Sequence, residues 1–198
     1  MPNLYVISGC NGAGKTTASY TVLPEMLQCN EFVNVDEIAK GLSPFNPDRA
    51  AIEAGRLMLN KMNKLVDKKH DFAFETTLSP RSYVNMVSMA KEAGYHVTLL
   101  YFWLNTVELA IERVKSRVHE GGHDVAVPVI KRRYSAGLVN LFERYIPISD
   151  FWMIFDNSGI RASLVAEGHF NNSRKIKNNT IFEQILKTYA GANKGKRD

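Results

Sequence analysis

The chain has 198 residues, of which 45% are hydrophobic and 23% are charged, and its formal net charge at pH 7 is +5. This composition can supply a full core, so we expect one globular domain and not a disordered or fibrous protein. No run of about eighteen apolar residues is present, and the first residues lead straight into a candidate core strand, so we expect no membrane span, no signal peptide and a cytoplasmic protein. Two cysteines, Cys10 and Cys29, are too few for a disulfide framework.

A glycine-rich stretch follows the first candidate strand. Residues 4–7 (LYVI) form a short β-branched and aromatic run that predicts a buried strand, and residues 15–28 can be helical. Between them, residues 9–16 (GCNGAGKT) match the pattern G-x-x-x-x-G-K-[ST] of a phosphate-binding loop. Glycine lets successive backbone amides point at an anion, and the start of the next helix adds a partial positive charge.

The side chains of this motif predict a nucleoside triphosphate as the ligand. We expect Lys15 to contact the outer phosphates and the Thr16 hydroxyl to hold Mg²⁺. A flexible glycine turn with an unrelated lysine is the alternative, and the strand–loop–helix context disfavours it. ATP and Mg²⁺ are therefore the predicted ligands. The residues predicted to bind the nucleotide are Gly9, Asn11, Gly12, Ala13, Gly14, Lys15, Thr16 and Thr17.

The rest of the chain alternates strand-like and helix-like segments. Candidate strands lie at residues 31–35, 71–75, 96–104 and 151–156. Candidate helices lie at about 46–69, 79–94, 106–117 and 128–145, with Thr106 as a helix cap. Several strands are apolar on both faces, which favours an α/β fold with a five-stranded, mainly parallel sheet between two helical layers.

The C-terminal part differs from this alternation. Residues 164–170 and 174–176 predict a small hairpin outside the main sheet, and a last helix begins near Thr180. We expect a single domain over residues 1–190 and a flexible basic tail over residues 191–198.

Acidic residues lie at the ends of three of the predicted strands, at the edge where α/β sheets bind ligands. Asp36 is the predicted general base for an attacking hydroxyl, and a helix cap is its alternative role. Glu75 would order Mg²⁺ or bind substrate hydroxyls, with a structural role as the alternative. Asp156 is followed by turn residues, so we expect it to be structural.

Arginines flank a second glycine-rich stretch. Arg113 and Arg117 are four residues apart and so share one helix face, and Arg132 and Arg133 follow the stretch. Two helices with arginines, one on each side of the loop, favour a helical lid that closes on phosphates and neutralises negative charge on the transferred group. The alternative is a solvated basic surface.

Several other site types are not expected. His119 and His123 lie close together, but no cysteine or third histidine is near them, which disfavours zinc. The chain has no Asn-Lys-x-Asp stretch, which disfavours a guanine-specific switch GTPase. It also has no second glycine-rich signature of a transporter-type ATPase.

Five segments, taken in order, resemble the zeta toxin family of P-loop kinases. They are ISGCNGAGKTT, NVDEIAKGLSP, FETTLS, RVKSRVHEGGHDVAVPVIKRRY, and DNS followed by LVAEG. The resemblance spans about Leu4 to Leu186 and is greatest to short, stand-alone bacterial members. It implies a P-loop NTPase fold of the kinase type. It also implies ATP-dependent phosphorylation of the 3′-hydroxyl of the sugar in UDP-N-acetylglucosamine.

The resemblance also implies roles for single residues. Asp36 takes the base position, Glu75 and Thr77 lie where the family contacts the sugar nucleotide, and Arg117 lies near the γ-phosphate with Arg132 or Arg133 as a second arginine. The predicted catalytic residues are Lys15, Asp36, Arg117 and Arg132. The predicted substrate-binding residues are Asp36, Glu75, Thr76, Thr77, Arg113 and Arg133, and the predicted metal-binding residues are Thr16 and Glu75.

We therefore expect an ATP-dependent kinase that phosphorylates a hydroxyl of a small molecule, for instance a sugar nucleotide. Two alternatives stay open: a regulatory ATPase without a small acceptor, and a polynucleotide kinase whose basic lid follows a nucleic acid. A nucleic-acid partner is not expected, because no platform of interleaved aromatic and basic residues is evident. An antitoxin partner is compatible with the resemblance, but the sequence does not indicate one.

Overall fold

The computed structural model describes residues 1–122, 124–170 and 174–194. The strands are β1 (Asn3–Gly9), β2 (Phe32–Val33), β3 (Phe72–Thr76), β4 (His96–Trp103), β5 (Phe151–Asp156), β6 (Ser163–His169) and β7 (Arg174–Ile176). The α-helices are α1 (Lys15–Thr21), α2 (Val35–Leu42), α3 (Ala51–Asp67), α4 (Ser82–Glu92), α5 (Val107–His119), α6 (Val127–Asn140) and α7 (Asn179–Lys194).

The strands form one seven-stranded sheet in the order β2-β3-β1-β4-β5-β6-β7. Strands β1 to β5 pair in parallel, whereas β6 and β7 pair antiparallel. The mainly parallel α/β fold is as predicted, but the strand count of five was wrong. Residues 157–162 are too few for a crossover helix, so the chain returns antiparallel beside β5, with Asp156 opposite Ser163. The predicted hairpin is therefore part of the main sheet.

Strand β1 lies at the centre of the parallel part. It pairs with β3 on one side, where Leu4 is opposite Phe72, and with β4 on the other, where Leu4 is opposite Val97. The chain thus leaves β1 toward one side and later returns on the other. A crevice opens at such a point beyond the carboxyl end of the strand, and this is where α/β sheets bind ligands.

Buried side chains cover both faces of the sheet, as the all-apolar strands predict. On β1, Leu4 and Val6 pack into a cluster with α3, α4 and α7, whereas Tyr5 and Ile7 pack into a cluster with α1 and α5. Helix α6 contributes to both layers. Its Tyr134 lies in the second cluster and its Leu138 in the first, so α6 crosses the carboxyl edge of the sheet.

Several element boundaries differ from the prediction. The second strand is reduced to Phe32–Val33, because Asn34 caps α2 and the helix begins at Val35. The predicted helix at residues 46–69 is a 3₁₀ turn at Pro47–Ala50 followed by α3.

The last helix, α7, extends to Lys194, so residues 191–194 of the predicted tail are helical, and residues 195–198 lie outside the described part. No helix in the described ranges is both long and apolar enough to cross a membrane.

Helix α5 is capped at both ends by residues that the sequence singles out. The Thr106 hydroxyl accepts a hydrogen bond from the Leu109 backbone N–H at 3.1 Å. At the other end Gly121 has φ +84°, and the Gly122 N–H donates to the Arg117 carbonyl at 2.8 Å. This is a Schellman ending, in which Gly121 takes the left-handed position. Gly122 packs closely on Arg117, since an added Cβ would lie 2.8 Å from the Arg117 carbonyl oxygen.

Thr106→Ala should lower the free energy of unfolding by about 1 kcal/mol, because the Leu109 N–H loses its acceptor. Thr106→Ser keeps an acceptor oxygen and serves as the control. Urea unfolding with an unchanged m-value measures the effect. Equal stability of the alanine and serine variants would show that the cap is not a source of stability.

Candidate active site

The phosphate loop connects β1 to α1 at the central crevice. Gly12 and Gly14 have φ +77° and +78°, which other residues rarely adopt. Both are also sites of close approach. A Cβ on Gly12 would lie 2.8 Å from the Ala110 carbonyl oxygen of α5, and one on Gly14 would lie 2.6 Å from Asn157 Nδ2. The glycines therefore set the loop's shape and let two other elements pack against it.

Asn157 and Arg113 hold the loop from its outer side. Asn157 Nδ2 donates to the Ala13 carbonyl at 2.8 Å. The Arg113 guanidinium donates to the carbonyls of Asn157, Ser158 and Gly159 at 2.8, 3.2 and 3.3 Å. Arg113 was predicted to bind substrate. It borders the cleft, and these bonds tie its guanidinium to the turn after β5, so it supports the position of that turn. Its role in substrate binding stays a prediction.

Glu75, at the end of β3, is the centre of the polar site. Its Oε2 accepts hydrogen bonds from Thr16 Oγ1 at 2.7 Å and from Asn34 Nδ2 at 3.0 Å. Its Oε1 lies 3.4 Å from Lys15 Nζ, which also donates to the Cys10 carbonyl at 3.0 Å. Glu75 is 8% exposed and Lys15 is 6% exposed. The carboxylate thus contacts the two functional side chains of the phosphate-loop motif, the Lys15 ammonium and the Thr16 hydroxyl.

Cys10, inside the loop, has an apolar role. Burial raises the pKa of its thiol to about 11, although the Lys15 ammonium opposes the shift. The thiol is therefore neutral near pH 7 and packs in the core cluster that includes Ile7 and Ala13.

The oxygen atoms at the floor of the site are suitable ligands for Mg²⁺. The Thr16 hydroxyl and the Glu75 carboxylate meet beside the phosphate loop, and oxygen ligands of this kind suit Mg²⁺. These two residues would hold the ion together with phosphate oxygens. No group of three or more His, Cys, Asp or Glu that could hold a metal occurs within the described ranges. His119 borders a different cavity, and His123 lies outside the described residues.

Two adjoining pockets share Asn11, Lys15, Asp36 and Glu75. The first is a cleft of about 310 Å³ between the phosphate loop and α5. The second is smaller, about 70 Å³, and lies beyond Asp36. Besides the shared residues, the first is lined by Gly12, Gly14, Thr16, Thr17, Arg113, Ser116, Arg117 and Glu120. The second is lined by Asn34, Val35, Thr76, Thr77, Pro80, Tyr83 and Arg133.

Asp36 lies in the first turn of α2 and not at the end of a strand. Asn34 is the cap of this helix, and its Oδ1 accepts from the Asp36 backbone N–H at 2.8 Å. The capping role considered for Asp36 therefore belongs to Asn34. Asp36 is half-buried and borders both pockets, so it lies where they adjoin.

The lid arginines do not all face the site. Arg117 is half-buried in the first cleft, and Arg133 is half-buried in the second, where its Nη1 donates to Asn11 Oδ1 at 3.3 Å. Arg132, which was predicted to be catalytic, is exposed and lines neither pocket. Successive residues of a helix point about 100° apart, so only one of this pair can face the site.

Arg133 sits among carboxylates. Burial lowers the pKa of Arg133, and the negative charges of Asp36 and Asp48 oppose this shift. Its guanidinium therefore remains a cation beside the predicted base.

The two threonines at the end of β3 have different roles. Thr76 is buried and its hydroxyl accepts from the Leu78 N–H at 3.1 Å, so it shapes the turn. Thr77 is half-buried and borders the second pocket. Asp156 likewise holds a turn, because its Oδ1 accepts from the Ser158 N–H at 2.9 Å.

Sequence reasoning missed Asn34, Tyr83 and Asn157 as site residues. A signal existed for Asn34, since asparagine just before a helix with acids in its first turn predicts a cap. Its second bond, to Glu75, depends on the pairing of β2 with β3.

The family model described as Zeta toxin matches residues 1–188. The chain belongs to the zeta toxin family. It is 36% identical over 126 residues to an uncharacterized protein of Haemophilus influenzae, and the match covers 64% of this chain and 88% of that protein.

Solved structures show the same fold. The AvrRxo1-ORF1:-ORF2 crystal structure with ATP superposes with a TM-score of 0.75 at 20% identity, and the match covers 93% of this chain. This chain spans only 63% of that chain. A structure of the PezAT chromosomal toxin–antitoxin system of Streptococcus pneumoniae gives a TM-score of 0.63 at 16% identity, covering 98% of this chain and 87% of that one. Membership of the zeta toxin family, with this phosphate loop, supports an ATP-dependent kinase.

Arg117→Lys and Arg133→Lys should each lower ATP turnover about tenfold or more at saturating ATP. Lysine keeps the charge but loses the two-pronged donor, at a cost of roughly 1.5–3 kcal/mol for a charge-assisted contact. Arg132→Lys is the matched control and should keep wild-type turnover. ATP affinity is measured separately and should change little. Wild-type turnover in all three variants would show that the lid is a solvated basic surface.

Proposed function

We propose that this chain transfers the γ-phosphoryl group of ATP to a hydroxyl of a small molecule, with a sugar nucleotide such as UDP-N-acetylglucosamine as the leading candidate. The observation that carries the proposal is the pair of adjoining pockets with Asp36 between them. Simple hydrolysis of ATP needs only the cleft on the phosphate loop. A second polar pocket across the predicted base supports a second substrate.

On the donor side, the triphosphate would lie in the cleft between the phosphate loop and α5. Lys15 would contact the outer phosphates, and Thr16 and Glu75 would hold Mg²⁺. The ion, when bound with ATP, neutralises charge on the phosphate oxygens. Lys15 and Thr16 contact Glu75 in the structure, so they would exchange part of this bonding for phosphate and metal.

On the acceptor side, Asp36 would take the proton of the attacking hydroxyl. General base catalysis requires the carboxylate within hydrogen-bond reach of that proton, and a position shared by both pockets satisfies this. Arg117 and Arg133 flank it from the two pockets. Both could stabilise negative charge on the transferred group.

The second pocket suggests the kind of acceptor. Its lining includes Thr77 and Arg133, which carry a hydroxyl and a cation, and Tyr83, whose hydroxyl donates to Met58 Sδ at 3.4 Å. At about 70 Å³ it can enclose only the hydroxyl-bearing part of a substrate. The remainder of a sugar nucleotide would extend outward from it.

An antitoxin partner is a separate proposal. It rests on family membership and on the likeness to the PezAT structure, which comes from a toxin–antitoxin system. Expression of the wild-type chain in a bacterial host should slow growth, and an Asp36→Asn chain should not. Normal growth at high levels of active protein would argue against toxicity.

The decisive experiment measures ATP consumption and product mass with a panel of UDP-sugars, nucleosides and oligonucleotides. We expect one hydroxyl compound to gain a single phosphoryl group and to stimulate ATP turnover. Phosphorylation of oligonucleotide ends would favour a polynucleotide kinase. ATP hydrolysis that no compound stimulates would favour a regulatory ATPase and overturn the proposal.

Asp36→Asn should separate binding from chemistry. The amide has nearly the same shape but cannot accept a proton, so turnover should fall by roughly 10²–10⁴-fold. Affinity for ATP should stay near that of the wild type. Both are measured with the acceptor found in the panel. Unchanged turnover would show that Asp36 is not the base.

A further inference from the structure

Three residues on one face of helix α6 pack against the carboxyl edge of the sheet. They are Arg133, Gly137 and Asn140, which the helical repeat places on one side. Arg133 contacts the phosphate loop through Asn11. The other two lie deeper, line neither pocket, and contact the turn that follows β3.

Asn140 holds this turn through its side-chain amide. The residue is 3% exposed, and its Nδ2 donates to the Leu78 carbonyl at 2.7 Å. Its Oδ1 is buried and has no hydrogen-bond partner among the described residues. A buried acceptor without a partner is costly, so the Oδ1 atom does not favour an amide over an apolar side chain of the same shape. The amide is explained by its nitrogen, which donates to the turn after β3.

The turn that Asn140 holds is strained. Leu78 is fully buried with φ +58°, a left-handed conformation that is unusual for a bulky residue. Such backbone persists only where the surroundings fix it. Two hydrogen bonds do so here, one from Asn140 to the Leu78 carbonyl and one from the Leu78 N–H to Thr76 Oγ1. The reversal brings the preceding residue, Thr77, to the wall of the second pocket.

Gly137 allows α6 to approach the same turn closely. A Cβ at this position would lie 2.4 Å from the Thr77 carbonyl oxygen. Glycine in the interior of a helix is disfavoured relative to alanine. The contact with Thr77 gives a physical reason for its presence, since any other residue would push the turn away from α6.

We infer that Asn140, together with Gly137, is a positioning residue of the second pocket. It fixes Thr77 relative to Arg133, which projects from the same helix, and so sets the width of the pocket that receives the acceptor. Neither residue touches the acceptor, because both act through the backbone of residues 77–78. This inference rests on the proposed kinase function.

The test compares Asn140→Leu and Gly137→Ala with the wild type, using the acceptor identified in the panel. Each variant should raise the KM for the acceptor about tenfold. For Asn140→Leu this is the scale of one lost hydrogen bond, and for Gly137→Ala the cause is the contact of the added Cβ with the Thr77 carbonyl. The KM for ATP should not change, because the phosphate loop keeps its contacts. Asn140→Leu also leaves the buried Leu78 carbonyl without its donor, so its thermal midpoint should fall. The deciding readout is therefore the difference between the two KM values, which a general loss of stability would not produce.

Gly55→Ala is the matched control. Gly55 lies in α3 with nothing within 4 Å of an added Cβ, so this change has the same effect on helix propensity without a new contact. Both KM values should equal those of the wild type. A rise in acceptor KM in this control would mean that the assay responds to stability and would overturn the inference.

Failure of the positioning role and failure of the kinase function give different results. If the wild type transfers phosphate and the two α6 variants keep its acceptor KM, or raise both KM values together, the positioning role is wrong and the kinase function stands. If the wild type transfers phosphate to no compound, the proposed function fails, and the inference fails with it because no acceptor pocket exists.

Discussion

The site depends on one buried carboxylate. Glu75 joins three segments that are distant in sequence: the phosphate loop through Lys15 and Thr16, the start of α2 through Asn34, and β3, on which it lies. A buried carboxylate is tolerated only when it is paired and hydrogen-bonded, and here all three partners supply donors. Loss of Lys15 would leave the carboxylate without its counter-charge, and loss of Thr16 or Asn34 would leave its Oε2 atom with one donor fewer. The geometry of the whole crevice is therefore coupled to this residue.

The same bonding links the fold to the chemistry. Parallel pairing of β1 with β3 places Ser8 opposite Thr76, so the phosphate loop and Glu75 emerge side by side. Helix α6 then crosses this edge from one helical layer to the other and contributes Arg133 between them. Of the two pockets, the second is the one that α6 helps to line, through Arg133. The functional surface is thus a consequence of strand order and of one long helix.

Local patterns in the sequence predicted much of this architecture. The phosphate loop, strand β5 and the Thr106 cap depend on short-range rules, and the structure has all three. The predicted strand count was wrong because the antiparallel return of β6 depends on its pairing with β5, which the sequence of residues 163–176 does not specify.

The choice between Arg132 and Arg133 depends on the rotation of α6 about its axis. That rotation is fixed by burial of Tyr134 and Leu138 on opposite layers. Asn34, Asn140 and Asn157 belong to no spaced motif, and their importance follows only from tertiary contacts.

If Glu75 organises the site as described, it should also set the dependence of ATP binding on Mg²⁺. A triphosphate drawn to Lys15 must approach this carboxylate, and Mg²⁺ removes the repulsion between them. Calorimetric titration of ATP with and without Mg²⁺ therefore tests the account most directly. We expect Mg²⁺ to tighten ATP binding by the wild type about tenfold or more, on the scale of one like-charge contact.

Glu75→Gln should bind ATP more tightly than the wild type without Mg²⁺ and should gain little from the ion. Glu31→Gln, on the surface pair with Lys61, is the control and should behave as the wild type. An equal gain from Mg²⁺ in the wild type and in Glu75→Gln would contradict the account.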